Sequence, residues 1–221
     1  MKPVIIIGTG SFAELLYFYL KEYSGVTVIA FSINAKYMKM GENTFCGLPI
    51  VPFEKIEENY PSHNYDVMLG IGYSKMNTVR EKLFQDSKAK GYFIASFVHP
   101  TAIISKDAVL GEGNIIMEGS IIQPFVNIGH ANQIWCHVTI AHNNKIGNYN
   151  VMAGRASTAG YSIIGNNCFI GNNSTISDHV TIADFSLVGA AALVKRDTAP
   201  YSVVVPAKSI VLEGKRSTDF L

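Results

Sequence analysis

The stretch Val138–Gly165, VTIAHNNKIGNYNVMAGRASTAGYSIIG, places Ile140, Ile146, Met152, Thr158 and Ile164 at every sixth position. The same phase runs back to Val98 and on to Val194, and fifteen of its seventeen positions are Ile, Leu or Val. A helix needs apolar spacings of three and four, and a half-buried strand a spacing of two; an isolated aliphatic anchor at every sixth residue fits neither. It fits short flat strands joined by identical corners. Three strands close one triangular coil, so residues 18 apart stack, the ladder fills the prism, and the small residue after each anchor (Gly129, Ala141, Gly147, Ala159, Gly165) is expected to form the corner. This architecture is a parallel β-helix of about five coils. One bare flat side favours symmetric association, so a homotrimer is expected, with any active site in the clefts between prisms.

Composition agrees with a globular chain. With 221 residues, 48% apolar and 16% charged, it can bury a core in one or two domains. Eighteen Lys and Arg face 17 Asp and Glu, so no field collects nucleic acid or anionic membrane, and neither partner is expected. The apolar run Val4–Ile7 stops at Gly8, and Phe12–Leu20 is interrupted by Glu14 and too short to span a bilayer, which predicts a cytoplasmic protein without membrane insertion. Cys46, Cys136 and Cys168 form no C-x-x-C pair and read as reduced thiols.

Residues 1–97 read as a small Rossmann-like α/β domain and residues 98–221 as the β-helix domain with a C-terminal extension. Strands are expected at Val4–Ile7, Val26–Phe31, Val67–Ile71 and Tyr92–Phe97. Helices are expected over Phe12–Leu20 and Met76–Lys90, with a short one near Phe53–Asn59. Gly8-Thr9-Gly10 with Ala13 has the spacing of a dinucleotide fingerprint, but NAD needs a carboxylate at the end of the second strand, and Ala30-Phe31-Ser32-Ile33-Asn34 has none. NAD is therefore not expected; the glycines permit a tight turn, or backbone N–H groups at the helix start hold a phosphate of another ligand.

His142 follows the anchor Ile140 by two residues, and the residue stacked one coil later is Gly160. An imidazole near pKa 6.5 can take the proton of an amine or hydroxyl attacking a thioester, and a glycine N–H, open to close approach, can stabilise the oxyanion.

From the small α/β unit to the ending VPAK, nearly the whole chain resembles the bacterial sugar acyltransferases of the sialic acid O-acetyltransferase type, including N-acetyltransferases of nucleotide-linked 4-amino-4,6-dideoxy sugars. The likeness rests on GTGSFA, on LGIGYSKMNTVREK with Gly72 and Arg80, on IAHNNKIG followed by STAGYSIIG, and on VPAK. The resemblance implies the left-handed form of the β-helix, His142 as catalytic base, and Gly160 as amide donor at the thioester. It implies acetyl-CoA near Asn172 and Ala190, and a sugar nucleotide against Gly10, Ser11, Phe12, Ser32, Ile33 and Gly72, for surface glycan or polysaccharide biosynthesis. No metal is implied.

The chain also departs from that pattern. Members usually have an acidic residue where Asn143 stands and an Asn where Trp135 stands; several have His at the position of Phe12 and an Asp pair at Ser32 and Ile33. Val151 replaces a His that contacts CoA in some members, and Val204 the Gly of the usual ending. Asn143 joins His142 as a candidate catalytic residue, without the charge that would stabilise imidazolium. Two other readings compete with N-acetylation by direct attack and its O-acetylating variant. One is a γ-class carbonic anhydrase using His137 and His142, although no third ligand stacks on them. The other is a prism that has lost its activity and serves as an assembly subunit.

Overall fold

In the computed structural model, which describes residues 2–41, 43–216 and 218, every ladder position from Val98 to Val194 ends a two-residue strand. Strands 18 residues apart pair in parallel: Ile122 lies between Ile104 and Ile140, and Ile134 between Ile116 and Met152. The result is a left-handed β-helix with three flat faces. Face I, through Val98, Ile116, Ile134, Met152, Ile170, Val188 and Val204, has seven strands. Face II, through Ile104, Ile122, Ile140, Thr158, Ile176 and Val194, has six, and face III, through Leu110, Ile128, Ile146, Ile164 and Ile182, has five. From Ile116 onward no ladder side chain is more than 4% exposed. Each buried Ile or Leu contributes about 1.5–3 kcal/mol, which is what holds so regular a stack together.

The corners differ from the expectation. The left-handed backbone position falls on one non-glycine residue in every six from Phe125 to Ala191, with φ between 52° and 63°, and includes His137, Asn143, Tyr149, Arg155 and Tyr161. The small residue after each anchor is needed for a different reason. A Cβ on Gly129 would lie 2.3 Å from Asn148 Oδ1, and one on Gly147 2.5 Å from the Gly165 carbonyl oxygen. Coil-to-coil spacing, not turn geometry, selects glycine and alanine there.

The N-terminal sheet has the order β3-β4-β2-β1-β5. Its strands are β1 (Val4–Ile7), β2 (Val28–Ile33), β3 (Thr44–Phe45), β4 (Leu48–Pro52) and β5 (Asp66–Leu69), all parallel except β3. β2 begins and ends two residues later than expected, and β4 is a strand where irregular chain was expected. Pro49 and Pro52 are tolerated because β4 is flanked on one side only by the two-residue β3. Tyr92–Phe97 does not form a fourth strand. It makes a single bridge, Val67 to Ile94, because the Ile94 N–H donates to Glu112 Oε2 and the Ile94 carbonyl accepts from Gly113, both on the prism.

Helix α1 (Ser11–Tyr23) leaves the turn after β1. After the short 3₁₀ turn Phe53–Lys55 comes α2 (Ile56–Asn59). Helix α3 (Thr78–Ala89) starts late because Lys75, Met76 and Asn77 all have positive φ. The middle coils of face I are covered by this unit: Ile115, Gln133 and Val151, pointing outward, are at most 2% exposed. Ala131 and Tyr149 of the prism share one buried cluster with Ile5, Ile7 and Tyr92. Among the described residues no helix is long and apolar enough to cross a membrane.

Candidate functional site

Where β1 and β5 end against the prism, a cleft of about 830 Å³ opens, lined by the glycine turn, the start of α1, Ile33, Tyr37, Gly70–Ser74, Gln133 and Trp135. Among the described residues no Asp, Glu, Lys, Arg or His lines it. Its polarity comes from backbone, hydroxyl and amide groups. Helix α1 has Gly10 as its N-cap with no side-chain cap, so the first-turn N–H groups are available to an acceptor in the cleft.

The two glycines of the turn do different things. Gly8 has φ 121°, and a Cβ there would lie 2.6 Å from the Gly70 carbonyl oxygen, so the turn cannot be built with another residue. Gly10 and Gly72 have ordinary φ values, and a Cβ on either would meet nothing within 4 Å. Backbone geometry and packing leave both positions free to vary; both line the cleft, where a side chain would take up ligand space.

Of the sequence-predicted acceptor residues, Gly10, Ser11, Phe12, Ile33 and Gly72 line this cleft. Ser32 does not. It is fully buried in β2, and its carbonyl accepts the Gly8 N–H at 2.8 Å, which places it behind the turn. Phe12 packs on Trp135, with ring centroids 5.7 Å apart. Arg80, singled out in the sequence, is scaffold. It is 1% exposed and donates Nε to Ala131 O (2.9 Å), Nη1 to Gly72 O (3.1 Å), and Nη2 to Tyr149 O (2.8 Å) and Asn150 O (3.2 Å). Burial pushes its pKa down to about 9, which still leaves it a cation at neutral pH, held by carbonyls instead of a carboxylate. It ties α3 and the Gly72 loop to the prism. Gln133, Tyr37 and Tyr73 also line the cleft, and sequence reasoning missed all three; Gln133 comes there only through the pairing of face I against the N-terminal unit, to which both tyrosines belong.

His142 is exposed at the corner between faces II and III. Its Nδ1 lies 3.0 Å from Asn143 Oδ1, an acceptor only, so Nδ1 carries the proton and Nε2 is left as the basic nitrogen. Its backbone N–H donates to Gln123 Oε1 at 3.0 Å, and its ring meets the edge of Tyr161, itself stacked on His179. Gly160 lies against the imidazole: a Cβ there would sit 2.7 Å from Cε1 and 2.9 Å from Nε2. Among the described residues the Gly160 N–H donates to no protein acceptor, whereas its carbonyl accepts from His179.

The remaining predicted residues, Asn172 and Ala190, stand exposed at the other end of face II, in the corner column of Cys136 and Gly154. The candidate residues therefore divide between two corners of one chain. The cleft, Asn172 and Ala190 flank face II on one side, and His142, Asn143 and Gly160 flank it on the other. His137 is on the first corner and His142 on the second, so a spacing of five does not bring them together; among the described residues no group of three or more His, Cys, Asp or Glu is placed to hold a metal ion.

Comparison with known proteins agrees with this architecture. The bacterial transferase hexapeptide (six repeats) family matches residues 161–196. The acetyltransferase domain of PglB from Neisseria gonorrhoeae FA1090 superposes with a TM-score of 0.81 at 19% identity, over 95% of this chain and all of that one. A histidine mutant of perosamine N-acetyltransferase from Caulobacter crescentus, in complex with CoA and GDP-perosamine, superposes with a TM-score of 0.81 at 25% identity, over 93% of this chain and 94% of the other. WeeI from Acinetobacter baumannii AYE gives 0.73 at 19% identity over 98% and 99%. Residues 161–196 thus match the hexapeptide-repeat model, and the chain shares its fold, α/β unit and left-handed β-helix together, with these three structures.

Proposed function

We propose that the chain is an acetyl-CoA-dependent acyltransferase that N-acetylates a nucleotide-linked amino sugar for surface glycan or polysaccharide synthesis, acting as a cytoplasmic homotrimer. In this reading residues 1–97 hold the acceptor, and residues 98–221 supply the base, the oxyanion donor and the berth for acetyl-CoA. The observation that carries it is the His142–Gly160 pair: a basic Nε2, its tautomer set by Asn143, beside a glycine whose N–H has no protein partner among the described residues. The amine is preferred to a hydroxyl because the neighbour at 25% identity is an N-acetyltransferase with CoA and GDP-perosamine bound.

His142 Nε2 takes the amine proton as the nitrogen attacks the thioester carbonyl. The Gly160 N–H donates to the carbonyl oxygen as it gains negative charge. The C–N bond forms, the C–S bond breaks, and CoA leaves as the thiolate, which needs no acid. Asn143 holds the ring without adding charge, so the imidazolium is stabilised less than it would be beside a carboxylate.

The division of the site supports the trimer. The residues of face II that point outward, Ile103, Ile121, Thr139, Ser157, Thr175 and Leu193, carry no charge, and Ile103 and Leu193 are 64% and 55% exposed. Face III carries Lys145, and the middle coils of face I are covered. If face II turns toward a three-fold axis, the His142 corner of each prism meets the Trp135–Asn172 corner of the next, and cleft and base combine.

The test is a coupled assay on the purified protein. Acetyl-CoA and an amino-sugar nucleotide such as GDP-perosamine should give an N-acetylated product by mass spectrometry and one free thiol per turnover. His142→Ala should abolish both and leave the trimer intact in light scattering. Acetylation of a hydroxyl in its place would select the O-acetylating variant; absence of acetyl-CoA binding would leave the assembly-subunit reading.

A further inference from the structure

Gln133 stands out among the outward residues of face I. Its neighbours one coil below and above are Ile115 and Val151, both aliphatic and buried, so packing alone would favour a third aliphatic side chain. The position holds an amide that is only 2% exposed. Its Nε2 donates to the Ile71 carbonyl at 2.7 Å. Flipping the amide would set two acceptors against each other, so this bond fixes which way the group faces. Its Oε1 is buried and has no hydrogen-bond partner among the described residues. An orphaned buried acceptor costs about 1–3 kcal/mol, a cost that a packing residue would not carry.

Gln133 also lines the cleft, two residues from Trp135 and so at the prism end. Among the described residues no charged side chain lines the cleft, and the helix start and the glycine turn present backbone N–H donors that suit phosphate oxygens. Gln133 Oε1 is instead an acceptor and asks for an N–H or O–H. We infer that Gln133 is a positioning residue that receives a hydrogen bond from the sugar ring of the acceptor and orients that ring toward the His142 corner of the neighbouring chain. This rests on the acceptor reading above. Nucleobases and ribose carry N–H and O–H groups too; what assigns Gln133 to the sugar is its place, two residues from Trp135, whose corner meets the neighbouring His142 in the proposed trimer.

Calorimetric titration of the intact protein tests it with matched probes: GDP-perosamine against GDP, and a UDP-linked 4-amino-4,6-dideoxy hexose against UDP. Gln133→Met keeps the shape and removes the acceptor. The expected result is a tenfold or larger loss of affinity for whichever nucleotide sugar the wild type binds, with the bare nucleotide and acetyl-CoA within about twofold of wild type. An equal loss for nucleotide and nucleotide sugar, or no loss for either, overturns the inference. A wild type that binds no nucleotide sugar overturns the acceptor reading itself and this inference with it.

A second measurement needs no variant at this position. The chain has three glutamines, and variants of Gln85 and Gln123 assign the Gln133 side-chain carbonyl by elimination in carbon-labelled protein. That signal should move on adding the nucleotide sugar and stay in place with the nucleotide; equal movement with both overturns the assignment to the sugar.

Discussion

Phe12, at the start of α1, and Trp135, on the prism, stand ring against ring, with centroids 5.7 Å apart and planes tilted by 52°. They are two of the positions at which the chain departs from the acyltransferases it resembles, and the fold makes them a single contact on the cleft wall. Two aromatic rings in contact build an apolar wall, into which a single polar side chain would be set without a partner. Phe12→His and Trp135→Asn should each lower stability, and the double variant should lose less than the sum. The coupling should be about 0.5–1.5 kcal/mol in urea unfolding at fixed protein concentration. Strict additivity would mean that the rings do not act as a pair.

The glycine turn separates structure from function. Gly8→Ala meets both a positive φ and the Gly70 carbonyl, and should cost roughly 2–4 kcal/mol. Gly10→Ala meets nothing in the protein and should leave the melting temperature nearly unchanged, yet weaken nucleotide-sugar binding about tenfold or more because the methyl projects into ligand space. Thermal unfolding and calorimetric titration of the two variants should give opposite patterns.

Asn143 occupies a left-handed corner, φ 60°, a conformation that Asp also tolerates. Asn143→Asp should keep the contact with Nδ1 and add a negative charge that favours imidazolium. The acidic limb of the kcat/KM profile should then move to higher pH, and kcat on the plateau should rise. Asn143→Ala removes the acceptor and should lower kcat on the order of tenfold, with the KM for acetyl-CoA little changed. Unchanged profiles in both variants would take Asn143 out of the reaction.

Arg80→Met leaves the Ala131, Gly72, Tyr149 and Asn150 carbonyls without their shared donor. Several buried acceptors orphaned together should cost on the order of 3–5 kcal/mol. The loss should appear as increased amide exchange in α3 and the Gly72 loop before the prism is affected.

Glu112 predicts an acid limit for the same junction. Burial would raise its carboxyl, but the Lys88 ammonium at 2.9 Å and the Ile94 N–H outweigh this and hold it below its ordinary value of 4.5. A depressed folded-state pKa means a contribution that is present above 4.5 and lost as pH falls through the folded value. Stability measured between about pH 6 and about pH 3 should fall less steeply in Glu112→Gln than in wild type. Identical slopes would show that other carboxylates set the limit.

The β-helix was legible because one rule, an aliphatic residue at every sixth position, repeats from Val98 to Val194 and has a single geometric solution. The corners were misread because two demands share each turn. The glycine or alanine after the anchor answers to the coil above, while the left-handed residue is as large as Tyr161 or Arg155. Strand β4 and the loss of the expected strand at Tyr92–Phe97 were not legible, since both depend on partners distant in sequence: β2 for the one and Glu112 for the other.

The sequence by itself determined the prism, the glycine turn, and the His142–Gly160 relation, because a period of 18 residues turns spacing into stacking. Only the tertiary structure decided that Phe12 meets Trp135, that Ser32 lies behind the turn, that Arg80 is a clamp, and that Gln133 keeps a buried oxygen without a partner. These are contacts across the junction of two units that follow different periodicities, and no spacing within either one encodes where the other's side chains come to rest.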